Sequence, residues 1–577
     1  MRKEMLSTER SNPSRQGLRS VTVASLMVVT GGAIAAPIDV GNSDVELRWD
    51  NTIKYSAGVR LKNPSDLLTQ ATAPGAGVSA NTLNGDDGDR NFKRGGLISN
   101  RVDLFSELDL IYRKDFGLRV SGAAWYDDVY NKTNDNNSPA TDNNLSAPYD
   151  KFTDGTRNVE GRKAEVLDAF LFGAADVGDA RLSGRLGRHS VLWGESLFYG
   201  ANAIAGTQSP VDAIKAASVP GSTTKEIIMP VGQLSSQLQL SPALTFMGYY
   251  QFEWEATRLP AAGSYFSVAD FLGDGGERIR FAPGVPGIGL GRLPDMRAKD
   301  NGQFGLGLRT QLDNVDIGVY ADRFHAKTPV IYSRATAPTG TPGTGFGNYQ
   351  EVFPEDIWAF GASASTTVDG VNYAAELSVR HKTPLVSDPQ AVTGLVADNN
   401  DHPYYAIGDT AHANFSMIWA LPRMFLSDEP TLSMEFAYNQ LLKCTRNCTA
   451  AAPGLFRDKG ALDPGTDRRA AAVRATFAAP HRNVLDGLDL TPSLSMSFDH
   501  GRSPVVPLGA NNGGDATLAL AANYLAVWDF SLAYTHFYGK ANTAVYQSTT
   551  PTLNGNYTFD QSDADRDFVS VSVKYAF

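Results

Sequence analysis

Cysteine is all but absent: Cys444 and Cys448 are the only two in 577 residues, four apart in a polar segment with no histidine nearby. Without a third sulfur or imidazole ligand, a structural zinc site is unsupported. The preferred reading is a disulfide closing a small surface loop in an oxidising compartment, and the other is a pair of free thiols. Long apolar runs are missing too. Hydrophobic residues make up 42% and mean hydropathy is −0.23, yet beyond the N-terminus no stretch approaches the roughly 20 apolar residues of a transmembrane helix. Basic charge is in deficit, with 51 Lys and Arg against 62 Asp and Glu. An acidic surface offers little to nucleic acid, which is bound by neutralising phosphates. A Walker motif is lacking, so no nucleotide-driven step is expected. Catalytic frames are lacking as well. His189, His325, His381, His412, His481, His500 and His536 lie beside predicted strands with no G-x-S-x-G around a serine, so no enzyme activity, cofactor or resident metal is expected.

What is present is alternation. In "VELRWDNTIKYSAGVRL", residues 45–61, the odd positions carry Val45, Leu47, Trp49, Ile53, Tyr55, Ala57, Val59 and Leu61. The even positions carry Glu46, Arg48, Asp50, Thr52, Lys54, Ser56 and Arg60, and only Asn51 breaks the apolar side. A period of two gives a strand with one apolar and one charged face, and this run is far longer than the usual five or six residues. The device recurs along the chain. Paired strands flank short connections at 113–115, 241–243, 313–314 and Asp369-Gly370, the last a strong hairpin signal. Long segments rich in Gly, Pro, Asn and Asp separate the pairs, at 62–98, 131–163, 194–230, 258–301, 328–356, 382–409, 440–466, 500–514 and 540–564. Short and long connections in alternation mark an all-β, transmembrane antiparallel β-barrel of about 18 strands (16–18), with short periplasmic turns and long extracellular loops.

The ends of the chain fit an outer-membrane protein of a Gram-negative bacterium. Arg2, Lys3, Arg10, Arg15 and Arg19 precede an apolar stretch, Val21–Ile34, and Ala33-Ile34-Ala35 fits a cleavage site. Residues 1–35 are therefore read as a signal peptide and 36–577 as the barrel. Cleavage removes five basic and two acidic residues and moves the net charge from −11 to −14. At the other end "FVSVSVKYAF" sets Tyr575 and Phe577 on one face, like the terminal signal read by the barrel-assembly machinery.

Candidates for the lumen or its constriction are Arg48, Lys54, Arg101, Asp103, Glu107, Arg119, Arg181, Arg185, His189, Asp212, Glu253, Glu255, Arg309, Glu376 and Arg380, with Asp322 and Glu435 at further inward positions. Both signs are interspersed, so cross-strand pairing is expected rather than strong ion selectivity. Trp49, Tyr55, Tyr112, Tyr130, Tyr250, Trp254, Trp419, Tyr438 and Tyr534 are candidates for interfacial girdles. One long connection is unlike the rest. Residues 194–230 hold Leu197, Phe198, Tyr199, Ile204, Val211 and Ile214, and "SPVDAIKAAS" reads as a helix with Ser209 as N-cap, Pro210 at its first position and Asp212 in the capping-box place. So apolar a loop would be a liability outside, and it is expected to fold into the lumen as a constriction. Carboxylates clustered with glycine in "NGDDGDRNF" and "GDGGER" read as solvated turns ahead of loose Ca²⁺ sites.

Several motifs together resemble a known family. "WDNTIKYS" at 49–56, "GDRNF" at 88–92, "LISNRVDLFSELDLIY" at 97–112, "AAWYDDVY" at 123–130, "RLGRHSVLWGES" at 185–196 and "FPEDIWAFGASAST" at 353–366 occur in the order found in the proteobacterial outer-membrane family catalogued as domain of unknown function 1302. The resemblance implies an outer-membrane barrel, often encoded near exporters of the resistance-nodulation-division type and near degradation genes for hydrophobic compounds. It supplies no catalytic residues, and His189 stands where many relatives have Gln. The expected function is a porin-like channel passing a hydrophobic or amphipathic small organic compound, its partners being outer-membrane lipid, the assembly machinery and that compound. The alternative is an accessory component docking an export or secretion complex.

Overall fold

The alternation builds long strands, and their unpaired edges have to meet. The computed structural model describes residues 38–69, 82–281, 289–335, 345, 347–387, 390–391, 397–424, 426–449, 461–547 and 555–577. The expected signal peptide lies outside these. Eighteen staves run in chain order: β1 (Val45–Arg60), β2 (Leu97–Tyr112), β3 (Phe116–Asp127), β4 (Arg162–Val177), β5 (Ala180–His189), β6 (Val231–Ser241), β7 (Leu244–Gln251), β8 (Gln303–Leu312) and β9 (Val315–Phe324). They continue as β10 (Ile357–Val368), β11 (Val371–Pro384), β12 (Ile407–Ala420), β13 (Thr431–Arg446), β14 (Arg469–Ala478, resuming at His481–Leu485), β15 (Leu488–His500), β16 (Gly514–Tyr524), β17 (Trp528–Tyr538) and β18 (Phe568–Ala576). Each pairs antiparallel with its chain neighbours, and β18 returns to β1 with Tyr575 opposite Ile53. Closure leaves no edge, which hydrocarbon demands because it offers backbone groups no partner.

The short turns reverse the chain tightly. Asp369 and Gly370 both take positive φ, the twist that a two-residue hairpin needs, and Arg113 and Lys114 do the same in the three-residue connection after β2. Break points have local causes: Pro480 cannot donate to the ladder, so β14 is split there. A bulge lets Val120 face Ala169 and Gly122 face Val166, inserting one extra residue in β4.

Face assignment follows the alternation. Trp49, Ile53 and Tyr55 are exposed while Lys54, Ser56 and Arg60 are buried. Rows of register partners such as Leu171, Leu186 and Leu234 stand exposed together on the outside. With no edge and such an apolar belt, this is an outer-membrane barrel. Asn51, the exception, accepts from Ser106 Oγ at 2.8 Å, and Ser106 in turn accepts from Trp49 Nε1 at 2.9 Å. Phe577 exchanges backbone hydrogen bonds with Asn51, and Tyr575 stacks on it at 5.5 Å and meets Trp528 at 4.5 Å. These groups form an aromatic belt at the short-turn end. Tyr112, Tyr250 and Tyr534 are exposed as expected. Tyr130 and Trp254 are not, because both pack in loop clusters, Tyr130 against Phe92 and Phe152, Trp254 against Phe353.

The long connections depart most from expectation. Residues 278–280, 289–292, 330–335, 347–352 and 390–391 form a five-stranded sheet of their own around buried Tyr332 and Tyr349. The polar segment after β3 is no free loop, since Thr141, Asp142 and Asn143 are buried. Arg60 and Arg566, both buried, converge on Asp89 at 3.1 and 3.0 Å and tie the first and last long loops together. Cys444 and Cys448 form the expected disulfide at the end of β13, with Cα atoms 5.8 Å apart.

Candidate functional site: the segment crossing the lumen

Between His189 and Val231 the chain leaves β5, enters the barrel and returns to β6. Wall carboxylates hold it by its backbone. Glu376 on β11 accepts from the amides of Glu195 at 3.0 Å and Ile204 at 2.5 Å. Glu435 on β13 accepts from Leu197 at 3.1 Å, Tyr199 at 2.9 Å and the intervening Phe198. Arg380 supplies the opposite polarity and donates to the carbonyls of Ala201, Asn202 and Ala203 at 3.1, 3.1 and 2.8 Å. A backbone without strand or helix partners must find others when buried, and here the wall provides them. Asn202 Oδ1 accepts from Asn439 Nδ2 at 3.2 Å and meets His412 Nδ1 at 3.0 Å. Asp322 on β9 takes the hydroxyl of Thr207 at 2.7 Å.

The segment then crosses to the other side. Lys54 on β1 meets Glu226 at 3.5 Å and Ser222 at 3.3 Å, and Lys225 reaches Glu107 on β2 at 2.9 Å. Asp212 pairs with Arg258 at 2.5 Å, and Arg258 with Glu165 on β4 at 2.6 Å. In a ring of eighteen, β1 and β11 are nearly opposite, so residues 195–226 bridge the lumen.

The helix within this segment starts later than its sequence signals indicate. It spans Ala213–Ser218, and Asp212 is the N-cap, its Oδ1 accepting from Lys215 N at 2.9 Å. Ser209 instead donates to Val191 O at 3.1 Å. Tertiary pairing overrides the local signal: Val211 bridges Ile228, and Pro210 O accepts from Met229 N, which keeps 210–212 extended. Thr223 and Glu226 make a capping box on a second short turn that the sequence reading missed, although T-x-x-E is its ordinary signature.

The wall around the segment has two characters. On the β2–β4 side Trp125 donates to Val159 O at 3.0 Å and carries Arg101, Lys215 and Arg258 within 5.8 Å of its ring centre. Arg101 pairs with Asp103 at 2.7 Å, and Arg119 with Asp109 at 2.6 Å and Glu107 at 3.5 Å. Charges of both signs are thus paired. On the β7–β10 side the face is apolar and aromatic: Ile204 is buried against Met247, Tyr320, Phe324 and Ala359, and Trp193 packs on Tyr249 at 5.1 Å.

Other expected lining residues fall into three groups. Arg309 pairs with Glu195 at 3.1 Å, and Arg185 lies on the Phe170 ring at 5.5 Å. His189 meets Ser235 Oγ at 2.7 Å with Nε2 and Gly187 O at 3.0 Å with Nδ1. These belong to the lumen wall. Arg48 pairs with Glu46, and Arg181 with Asp115 and Asp176, at the short-turn rim rather than near the bridge. Glu253 and Glu255 also differ from expectation. The strand ends at Gln251, so their parity no longer counts; Glu253 pairs with Arg188, on the β5 face that carries exposed Leu182 and Leu186, and Glu255 pairs with Arg297 at 3.6 Å.

The family model described as "Protein of unknown function (DUF1302)" matches residues 16–577. No curated protein matches the chain. Among solved structures, Acinetobacter baumannii OccAB3 is similar at 10% identity and TM-score 0.41, covering 92% of this chain and 99% of that one. Pseudomonas aeruginosa OpdK with vanillate stands at 8% and 0.38 over 92% and 98%. The A. baumannii outer-membrane channel DcaP stands at 8% and 0.35 over 94% and 100%.

Proposed function

The chain belongs to the family described as protein of unknown function (DUF1302), and on that premise we propose that it is an outer-membrane channel for passive passage of a hydrophobic or amphipathic small organic compound. The observation that carries the reading is the bridge at 195–226, hydrogen-bonded to nearly opposite sides of the barrel by Glu376, Arg380 and Glu435 at one end and Lys54 and Glu107 at the other. Such a bridge narrows an 18-stave lumen, which is otherwise wide enough for an aqueous channel. The bridge lies against an ionic, self-paired wall on the β2–β4 side and packs Ile204 into an aromatic cluster on the β7–β10 side. A solute with one polar and one apolar end suits a path between walls of these two characters. The self-paired charges give little net field to select simple ions.

The test has two arms. Purified protein and a form lacking 196–228 are compared in planar bilayers, where the deletion is expected to raise single-channel conductance. A deletion strain is fed labelled hydrophobic and amphipathic carbon sources, with reduced passage expected for a subset. Unchanged conductance would end the gating role of the bridge, and unaltered uptake and efflux across the panel would end the channel reading.

A further inference from the structure

Asp86, Asp87 and Asp270 present one carboxylate oxygen each within 4.8 Å of one another, and all three residues are buried. They come from the β1–β2 and β7–β8 loops, and a third loop, β3–β4, closes over them: Asn143 N donates to Asp87 Oδ2 at 3.1 Å, and Asn136 Nδ2 to Asp87 Oδ1 at 3.2 Å. Asp270 Oδ2 accepts from Asp86 N at 2.9 Å. The remaining oxygens are the informative ones. Asp86 Oδ1, Asp270 Oδ1 and Asn143 Oδ1 are shut off from solvent with no hydrogen-bond partner, a state that buried polar atoms rarely keep. Asp87 and Asp270 also line a cavity of about 10 Å³, with Asn91, Asp142 and Lys151 among its other walls, about the room of a single water or ion. Arg90 pairs with Asp86, and Arg278 stands 3.7 Å from Asp142, but Asp87 and Asp270 have no cationic side chain in an ion pair among the described residues. Burial first and the neighbouring carboxylates second push both of these carboxyls upward.

We propose that Asp86, Asp87 and Asp270 form a divalent-cation site that locks three extracellular loops over the mouth of the barrel. The donors are all carboxylate or amide oxygen, with no sulfur or imidazole among them, which selects a hard cation, Ca²⁺ ahead of the transition metals. The cation satisfies the orphaned oxygens and relieves the repulsion at Asp87 and Asp270, which have no ion-pair partner of their own among the described residues, Arg90 being paired with Asp86. Its position has a structural consequence. Two residues on, Asp89 takes Arg60 and Arg566, so a cation at Asp86 and Asp87 fixes the same short turn that anchors the first loop to the last.

The experiment uses the full-length, detergent-purified barrel stripped with EDTA and titrated with CaCl2 by calorimetry, with Tb³⁺ luminescence as a second probe, since Tyr149 lines the cavity. One Ca²⁺ per chain is expected, at an affinity within the 10⁻⁴–10⁻³ M range of extracellular modules or tighter. Ca²⁺ should also slow protease cleavage within 82–96 and 138–151. Asp270→Asn should weaken binding by at least the roughly 10–100-fold that loss of an outer-shell partner costs metal sites, while the exposed control Asp274→Asn leaves it unchanged. Heat-modifiable gel migration shows whether each variant has kept its barrel. The proposal is overturned if the wild-type protein binds no Ca²⁺ up to about 10⁻² M, beyond the weak end of that range, or if folded Asp270→Asn binds as tightly as wild type.

Discussion

Glu435, on the inner face of β13, accepts the backbone amide of Tyr199 at 2.9 Å, across 236 residues of chain. The same carboxylate oxygen also receives Leu197 and Phe198, so a single wall side chain holds three successive amides of the lumen segment. Hydrogen bonds to a charged group are each worth about 1.5–3 kcal/mol. Glu435→Ala is expected to loosen residues 197–199 from the wall, with Glu376 and Arg380 still holding 195 and 201–204, and without unfolding the barrel, since the ladders around position 435 remain. Single-channel recording should show larger, noisier conductance; steady wild-type conductance would mean that the bridge does not narrow the pore.

Lys54 and Leu186 separate the two faces of the wall. Leu186 is exposed between Leu171 and Leu234 in the lipid-facing row. Leu186→Arg should cost about 2–4 kcal/mol in the membrane and lower the folded fraction seen as heat-modifiable migration. Lys54→Gln should assemble normally and alter passage instead, because it loosens Glu226 and Ser222 from β1.

Glu160 sits just before β4, is buried, and accepts from Ala261 N at 3.2 Å. Burial pushes its carboxyl up to about 7. A raised carboxyl stabilises the folded loops fully below its ordinary value near 4.3, and that contribution is lost as pH rises through 7. Between those limits local stability should fall by up to about 1.4 kcal/mol per pH unit. Hydrogen exchange at Val159–Gly161, corrected for intrinsic rates, should show protection declining from pH 5 to pH 8, and Glu160→Gln should flatten the decline. Equal slopes in both proteins would contradict this.

The Cys444–Cys448 disulfide closes a very short loop, worth about 2 kcal/mol in the chain-entropy account. Replacing both with Ser should leave barrel migration unchanged and raise exchange only at 442–449. A loss of assembly would show a larger role.

Alternation with a period of two determined the staves and their faces from the sequence alone, because side chains on successive residues must point to opposite sides of a strand. Lys54 inward and Trp49 outward, and nine long connections against short turns, were all legible on that basis. Where a strand ended early, parity lost its meaning, and Glu253 and Glu255 were misplaced for that reason. Only the tertiary structure decided which inward residue meets which loop. Glu376, Arg380 and Glu435 carry no local mark of the amides and carbonyls they hold, since those partners lie 172 to 238 residues away. Asp212 rather than Ser209 caps its helix because Val211 is claimed by Ile228. In "NGDDGDRNF" the carboxylates read locally as hydrated turns, and it took three loops closing together to exclude water from Asp86 and Asp87. Local pattern fixes which way a side chain points, whereas its partner depends on a closure that joins distant segments.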